Sequence, residues 1–159
     1  MLGGIIYYLD STGQHGLVVA DSDISNSHTW QNITPFSNVG AYLTGLYLGG
    51  NATTAGQQNT SIIVSVLGLS DTNAAYECSK IISNGYSDWF LPAIQELVLI
   101  YIEKNSIGTT FQTSGQTTSY WSSTESSMST AWSQDFKNGS ATNSSAKDRR
   151  YNVRCIRSF

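Results

Sequence analysis

The residues with the most obvious chemistry are cations gathered near one end of the chain. Lys137, Lys147, Arg149, Arg150, Arg154 and Arg157 are six of the eight basic residues, and Asp148 is the only acid within residues 137–159. That segment is net +5, against −8 for residues 1–136. Sulfate stays charged and accepts paired donors from guanidinium groups, so cations along a groove suit it well. Lys137, Lys147, Arg149 and Arg150 fall on a predicted hairpin and the loop after it, where side chains project, and form the candidate ligand-binding set. Arg154 and Arg157 read instead as strand residues that face solvent or pair with acids elsewhere. The net charge of −3 and pI near 5.1 mean that the rest of the surface repels a polyanion.

Other chemistries lack their parts. His15 and His28 are the only histidines, and neither lies beside a nucleophile or carboxylate in sequence. Nothing around Glu125 and Asp135 fixes their separation, so they make no recognisable acid/base pair. Calcium needs six to eight oxygens; Trp132-Ser133-Gln134-Asp135 is the nearest approach to such a set, and Pro35 and Pro92 stand in other contexts. Cys78 and Cys155 belong to no CxxC or Cys/His cluster, which leaves a zinc site without ligands. A disulfide and two buried thiols are both open for that pair. The expectation is no catalytic residue, no metal, no cofactor, no nucleic-acid partner and no insertion into a membrane.

The elements that must position these residues are legible from patterning. A chain of 159 residues fits one domain, 1–159, and its 40% hydrophobic content excludes disorder. Ile5–Leu9 and Gly16–Ala20 read as a hairpin around the turn signal Asp10-Ser11-Thr12-Gly13. Residues 21–58 are weakly patterned, with Trp30, Tyr42 and Tyr47 spaced through them. Thr60–Leu67 and Thr72–Ile82 read as a helix pair, the second with apolar residues at intervals of three and four. A third helix, Ala93–Lys104, is apolar almost all round and is expected to be buried within the domain rather than at a subunit contact. From Ser119 the pattern turns to short strands, 120–123 and 131–136, with Asn138-Gly139 as a hairpin signal and a closing strand over 151–159. Strands, then helices, then a meander predict an α+β domain with an antiparallel sheet and about three helices. No signal peptide is present, so the chain reads as a piece excised from a longer, stalked protein whose export signal lies elsewhere.

Several motifs in order carry a resemblance. Gly85-Tyr86-Ser87-Asp88-Trp89-Phe90-Leu91-Pro92, Tyr120-Trp121-Ser122-Ser123-Thr124-Glu125, Ala131-Trp132, Asn138-Gly139 and Val153-Arg154-Cys155-Ile156-Arg157 resemble the DUF1566 family. Gly3-Gly4-Ile5-Ile6 and Gly13-Gln14-His15-Gly16-Leu17 are more specifically similar to the C-terminal domains of Legionella-type collagen-like adhesins. The resemblance implies a C-type-lectin-like fold, a cell-surface or extracellular location, trimerisation at the tip of a stalk, and binding of sulfated glycosaminoglycans on a host surface. It also implies a disulfide between Cys78 and Cys155. Two positions depart from the family. Ala93 stands where a Ser or Thr hydroxyl caps the helix, a loss of about 1 kcal/mol, and Phe90 replaces a common Arg or Tyr. Two other readings stand beside the glycan-binding one. Asn138, Asn143, Ser144, Ser145, Tyr151 and Asn152 give residues 138–152 the flavour of a retroelement-diversified, receptor-binding segment whose ligand is a protein. Alternatively the apolar third helix serves only assembly of a structural subunit.

Overall fold

The computed structural model describes residues 2–24, 27–46, 54–68, 73–108 and 110–159. Strands β1 (Ile5–Leu9) and β2 (Gly16–Val19) form the expected hairpin. Helices α1 (Ala55–Leu67), α2 (Ala74–Lys80) and α3 (Ile94–Ile107) follow. Then come β3 (Ser119–Glu125), β4 (Thr130–Asp135), β5 (Ala141–Ala146) and β6 (Ile156–Ser158). The domain is α+β, but its strands make two antiparallel three-stranded sheets rather than one, β1-β2-β6 and β3-β4-β5. Tyr47 and the expected helix start at Thr72 lie outside the described residues.

Alternation along β2 and β3 divides the interior in two. Val18 and Trp121 face a core built with Ile63 of α1, Ala74, Ala75 and Cys78 of α2, and Trp30, Val153 and Cys155. Leu17, Val19 and Tyr120 face a second core with Leu97, Ile100 and Ile107 of α3, together with Phe90, Phe136 and Ile156. A side-chain period of two sends neighbouring residues of a strand to opposite faces, so two short strands serve both cores. Cys78 and Cys155 are joined in a disulfide across a sequence separation of 77, tying α2 to the residue before β6. A loop of that size removes roughly 4–5 kcal/mol of unfolded-state entropy in the chain-entropy model.

The helices show where patterning misplaced the boundaries. Helix α1 begins five residues before the expected Thr60, because Thr54 accepts a hydrogen bond from Gln57 N (3.1 Å) and caps it. Its first turn carries Asn59, fully buried but polar, which no hydrophobic period signals; the Asn59 amide instead bonds both backbone groups of Leu43. Helix α3 runs three residues past Lys104. It is buried within the domain on Ile94, Leu97, Ile100 and Ile107, while Ile102 is 63% exposed.

The cap missing at Ala93 is replaced from elsewhere. Thr124 Oγ1 of β3 accepts from Ile94 N (3.1 Å), and the Glu96 carboxylate reaches back to Ala93 N (2.8 Å). Glu96 is fully buried where α3 meets the first turn of α1, and a Cβ on Gly56 would stand 2.3 Å from Glu96 Oε2. Only a glycine admits the carboxyl there. Burial pushes the Glu96 pKa up to about 7, against the pull of hydrogen bonds from Ala93, Gly56 and Thr54. A carboxyl raised in the folded state binds its proton more tightly there than when unfolded. Its contribution is therefore complete below the unfolded value of 4.5 and disappears as pH rises through 7. We expect urea unfolding between pH 5 and 9 to show about 3 kcal/mol of stability lost with rising pH. Glu96→Gln should flatten that slope; an unchanged slope would place the titrating group elsewhere.

Candidate functional site

Of the four cations expected to project as a set, the structure separates one and buries another. Lys137 lies in the β4–β5 turn and Arg149 and Arg150 in the turn after β5, all exposed. The six residues of β5 stand between them, about 20 Å of strand. Arg149 and Arg150 are adjacent in one turn; Lys137 is not with them.

Lys147 corrects the expectation outright. Its side chain is 0% exposed, as is that of its partner Glu125, and its Nζ donates to Glu125 Oε1 and to Ser37 O (2.8 Å). The ammonium also sits 4.5 Å above the Trp30 ring. Desolvation pulls the Lys147 pKa down and the Glu125 carboxylate opposes it. Lys147 follows β5 into the interior because its backbone is fixed on both sides: Lys147 N donates to Ser129 O, and Lys147 O accepts from Trp30 N and Gln31 N. A side chain aimed inward from that anchor must be neutralised, and Glu125 at the end of β3 does so.

The same pair organises the loops around it. Glu125 accepts from Val39 N and Gly40 N (2.9 and 2.7 Å), and Glu125 N donates to Ala41 O. Trp30 Nε1 donates to Ser122 O (2.9 Å). Residues 30–42, the β3–β4 turn and the turn after β5 therefore meet on one buried charge pair. The loops that meet there carry Ile33, Tyr42 and Met128 as exposed apolar side chains, and Arg149 and Arg150 are exposed in the turn after β5. Sequence reasoning missed this arrangement. Glu125 and Lys147 are 22 residues apart with no periodic relation, and nothing in Ser122-Ser123-Thr124-Glu125 marks a strand end that the structure buries.

The other tail cations are also internal. Arg154 donates from Nε to Asp23, from Nη1 to Ala20 O (3.0 Å) and from Nη2 to Thr110 O (2.7 Å), and lies over Phe111. Arg157 holds Asp88 through two bonds of 2.7 and 2.8 Å and stacks 3.9 Å from the Tyr86 ring. That hydrogen-bonded pairing lowers the Asp88 pKa. The expectation that these arginines pair with acids is met, although they face inward and not toward solvent.

The remaining chemical candidates do not converge. Glu125 pairs with Lys147, whereas Asp135 accepts from Thr118 Oγ1 (2.6 Å) at the other end of the β3–β4 hairpin. Ala131, opposite Glu125, lies four residue steps along β4 from Asp135, about 13 Å. Ser133 and Gln134 are buried, and among the described residues no group of three His, Cys, Asp or Glu is placed to hold a metal ion. Both cysteines are consumed in the disulfide.

Removing Lys147 should strand a buried carboxylate. Lys147→Ala is expected to cost about 3–5 kcal/mol, read as a drop in urea midpoint, and to expose Trp30 fluorescence. Arg149→Ala should leave both within error.

Residues 20–157 match the family model described as the Lcl C-terminal domain. Among solved structures, a fimbrial protein from Bacteroides ovatus matches with a TM-score of 0.57 and 17% sequence identity, over 89% of this chain and 35% of that one. At that identity the likeness shows a shared fold, and the chain spans about a third of the fimbrial protein's length. Comparison with curated proteins gave no match.

Proposed function

The chain belongs to the Lcl C-terminal domain family, and on that premise we propose that it is a surface-displayed adhesin domain, C-type-lectin-like in fold, that binds ligand and catalyses nothing. The observation that carries this reading is the loop cluster seated on Glu125 and Lys147. The loops anchored on that buried pair carry exposed Arg149, Arg150, Ile33, Tyr42 and Met128, a composition suited to recognition. A disulfide that consumes both thiols and an acid/base pair split across a hairpin support a binding role over an enzymatic one. The fimbrial neighbour supports a place at the cell surface.

The ligand under this reading is a sulfated polysaccharide held by the two arginines, which suit paired donation to sulfate. Lys137 sits too far along β5 to join them, and Lys147 is spoken for by Glu125. Two arginines beside Asp148 make a weak patch for a polyanion, so affinity comes from repetition: a trimer triplicates the pair without new contacts. The exposed apolar residues in the same cluster favour a second reading, a protein receptor.

A heparin column developed with a salt gradient separates the two. Arg149→Ala with Arg150→Ala should elute at clearly lower salt than the parent, and Lys137→Ala should elute with the parent. Unmoved elution of the double variant sinks the glycan reading.

A further inference from the structure

A second cleft lies away from the arginines and shares no residue with their surface. It runs along α1, with Gln57, Thr60, Ser61, Val64 and Ser65 on one wall. Ser79 of α2 and the segment Asp88-Trp89-Phe90 close the other. Its volume is about 330 Å³, at the small end of small-molecule sites. We propose that this cleft binds a neutral polyhydroxylated ligand with the chemistry of a single unsulfated sugar ring.

Three features select that class. The lining is mainly apolar, with half-buried Val64 beside Trp89 and Phe90, both 2% exposed, and suits the C–H groups of a ring. The rim hydroxyls have already spent their protons on the backbone. Ser61 Oγ donates to Gln57 O (3.0 Å), Ser65 Oγ to Ile62 O (2.9 Å) and Ser79 Oγ to Tyr76 O (2.9 Å). Each oxygen then offers only lone pairs to an occupant. A ligand that satisfies these hydroxyls must bring donors, while Gln57 in the same wall offers an amide donor as well as an acceptor, and a polyol answers both. The third feature is Asp88, whose half-exposed carboxylate is held from the inner side by Arg157. It adds two more acceptors and one negative charge, and no Lys or Arg is among the lining residues. Arg157 already occupies the Asp88 carboxylate and is itself nearly buried, so a sulfate or phosphate on the ring would find no free cation among the lining residues.

Ser61 and Ser65 are exposed on the helix surface, so bulky residues there fill the cleft without entering the core. The test titrates the isotope-labelled domain with methyl glucoside, methyl galactoside and glucose 6-sulfate while amide resonances are followed. Neutral glycosides are expected to shift residues 57–65, 79 and 88–90, and glucose 6-sulfate to bind about fivefold more weakly because its charged group is desolvated without a cation partner. Ser61→Trp and Ser65→Trp should each abolish the shifts, and Arg149→Ala with Arg150→Ala should leave them intact. The proposal is overturned if neither glycoside moves those amides, if the sulfated sugar binds as well, or if folded Trp variants keep parental affinity. Mapping on the unaltered domain decides the matter even where a variant fails to fold.

Discussion

The ion pair between Glu125 and Lys147 is the constraint to which residues 30–42, the β3–β4 turn and the turn after β5 all answer. Two charges with no solvent exposure are costly to bury, and neither is tolerable alone. The site is stable because backbone groups and an aromatic ring close around both charges. Two backbone amides bind the carboxylate, a carbonyl and an aromatic face bind the ammonium, and a further tryptophan bond closes the edge. Three loops with little secondary structure of their own thereby acquire a common reference point. The exposed side chains of Ile33, Met128, Arg149 and Arg150 take no part in those anchoring bonds.

The same logic of internal neutralisation explains how a tail with six cations leaves so little positive surface. Lys147, Arg154 and Arg157 turn inward to Glu125, Asp23 and Asp88, acids that come from three distant parts of the chain. Each pair is a long-range clamp, holding residues 131 and 69 positions apart in two of the cases. Charge that looks like a ligand-binding asymmetry in the sequence is spent on joining the ends of the fold to its middle. What reaches solvent from the tail is Lys137, Arg149 and Arg150, less Asp148.

Patterning resolved the elements and not their partners. The β1–β2 hairpin, the three helices and the Asn138-Gly139 turn were readable because each is a local choice of period or turn residue. The start of α1 was not, since a Thr cap and a buried Asn carry no hydrophobic signal. Strand β5 escaped for a related reason. Ala141-Thr142-Asn143-Ser144 is an exposed polar edge strand, defined by pairing to β4 rather than by its own alternation. At the candidate site, residue type suggested lysine and arginine as equivalents. Burial told them apart, and burial is set by contacts 22 residues away that no window of sequence contains.

The placement of the terminal strands has a mechanical meaning. Strands β1 and β6 flank β2, both antiparallel to it, so they run in the same direction. Ile5 and Ile156 both pair with Val19 at one end of the sheet, while Leu9 pairs with Gly16 and Ser158 with Leu17 near the other. Tension applied between Leu2 and Phe159 therefore acts along the strands, in shear, and loads the ladder hydrogen bonds together instead of unzipping them singly. The disulfide at Cys155 stands just before β6 and keeps the 77-residue span back to Cys78 out of any extension. A domain laid out in this way resists pulling along its own sheet, and the β3–β4 turn and the turn after β5 lie within the span that the disulfide shields.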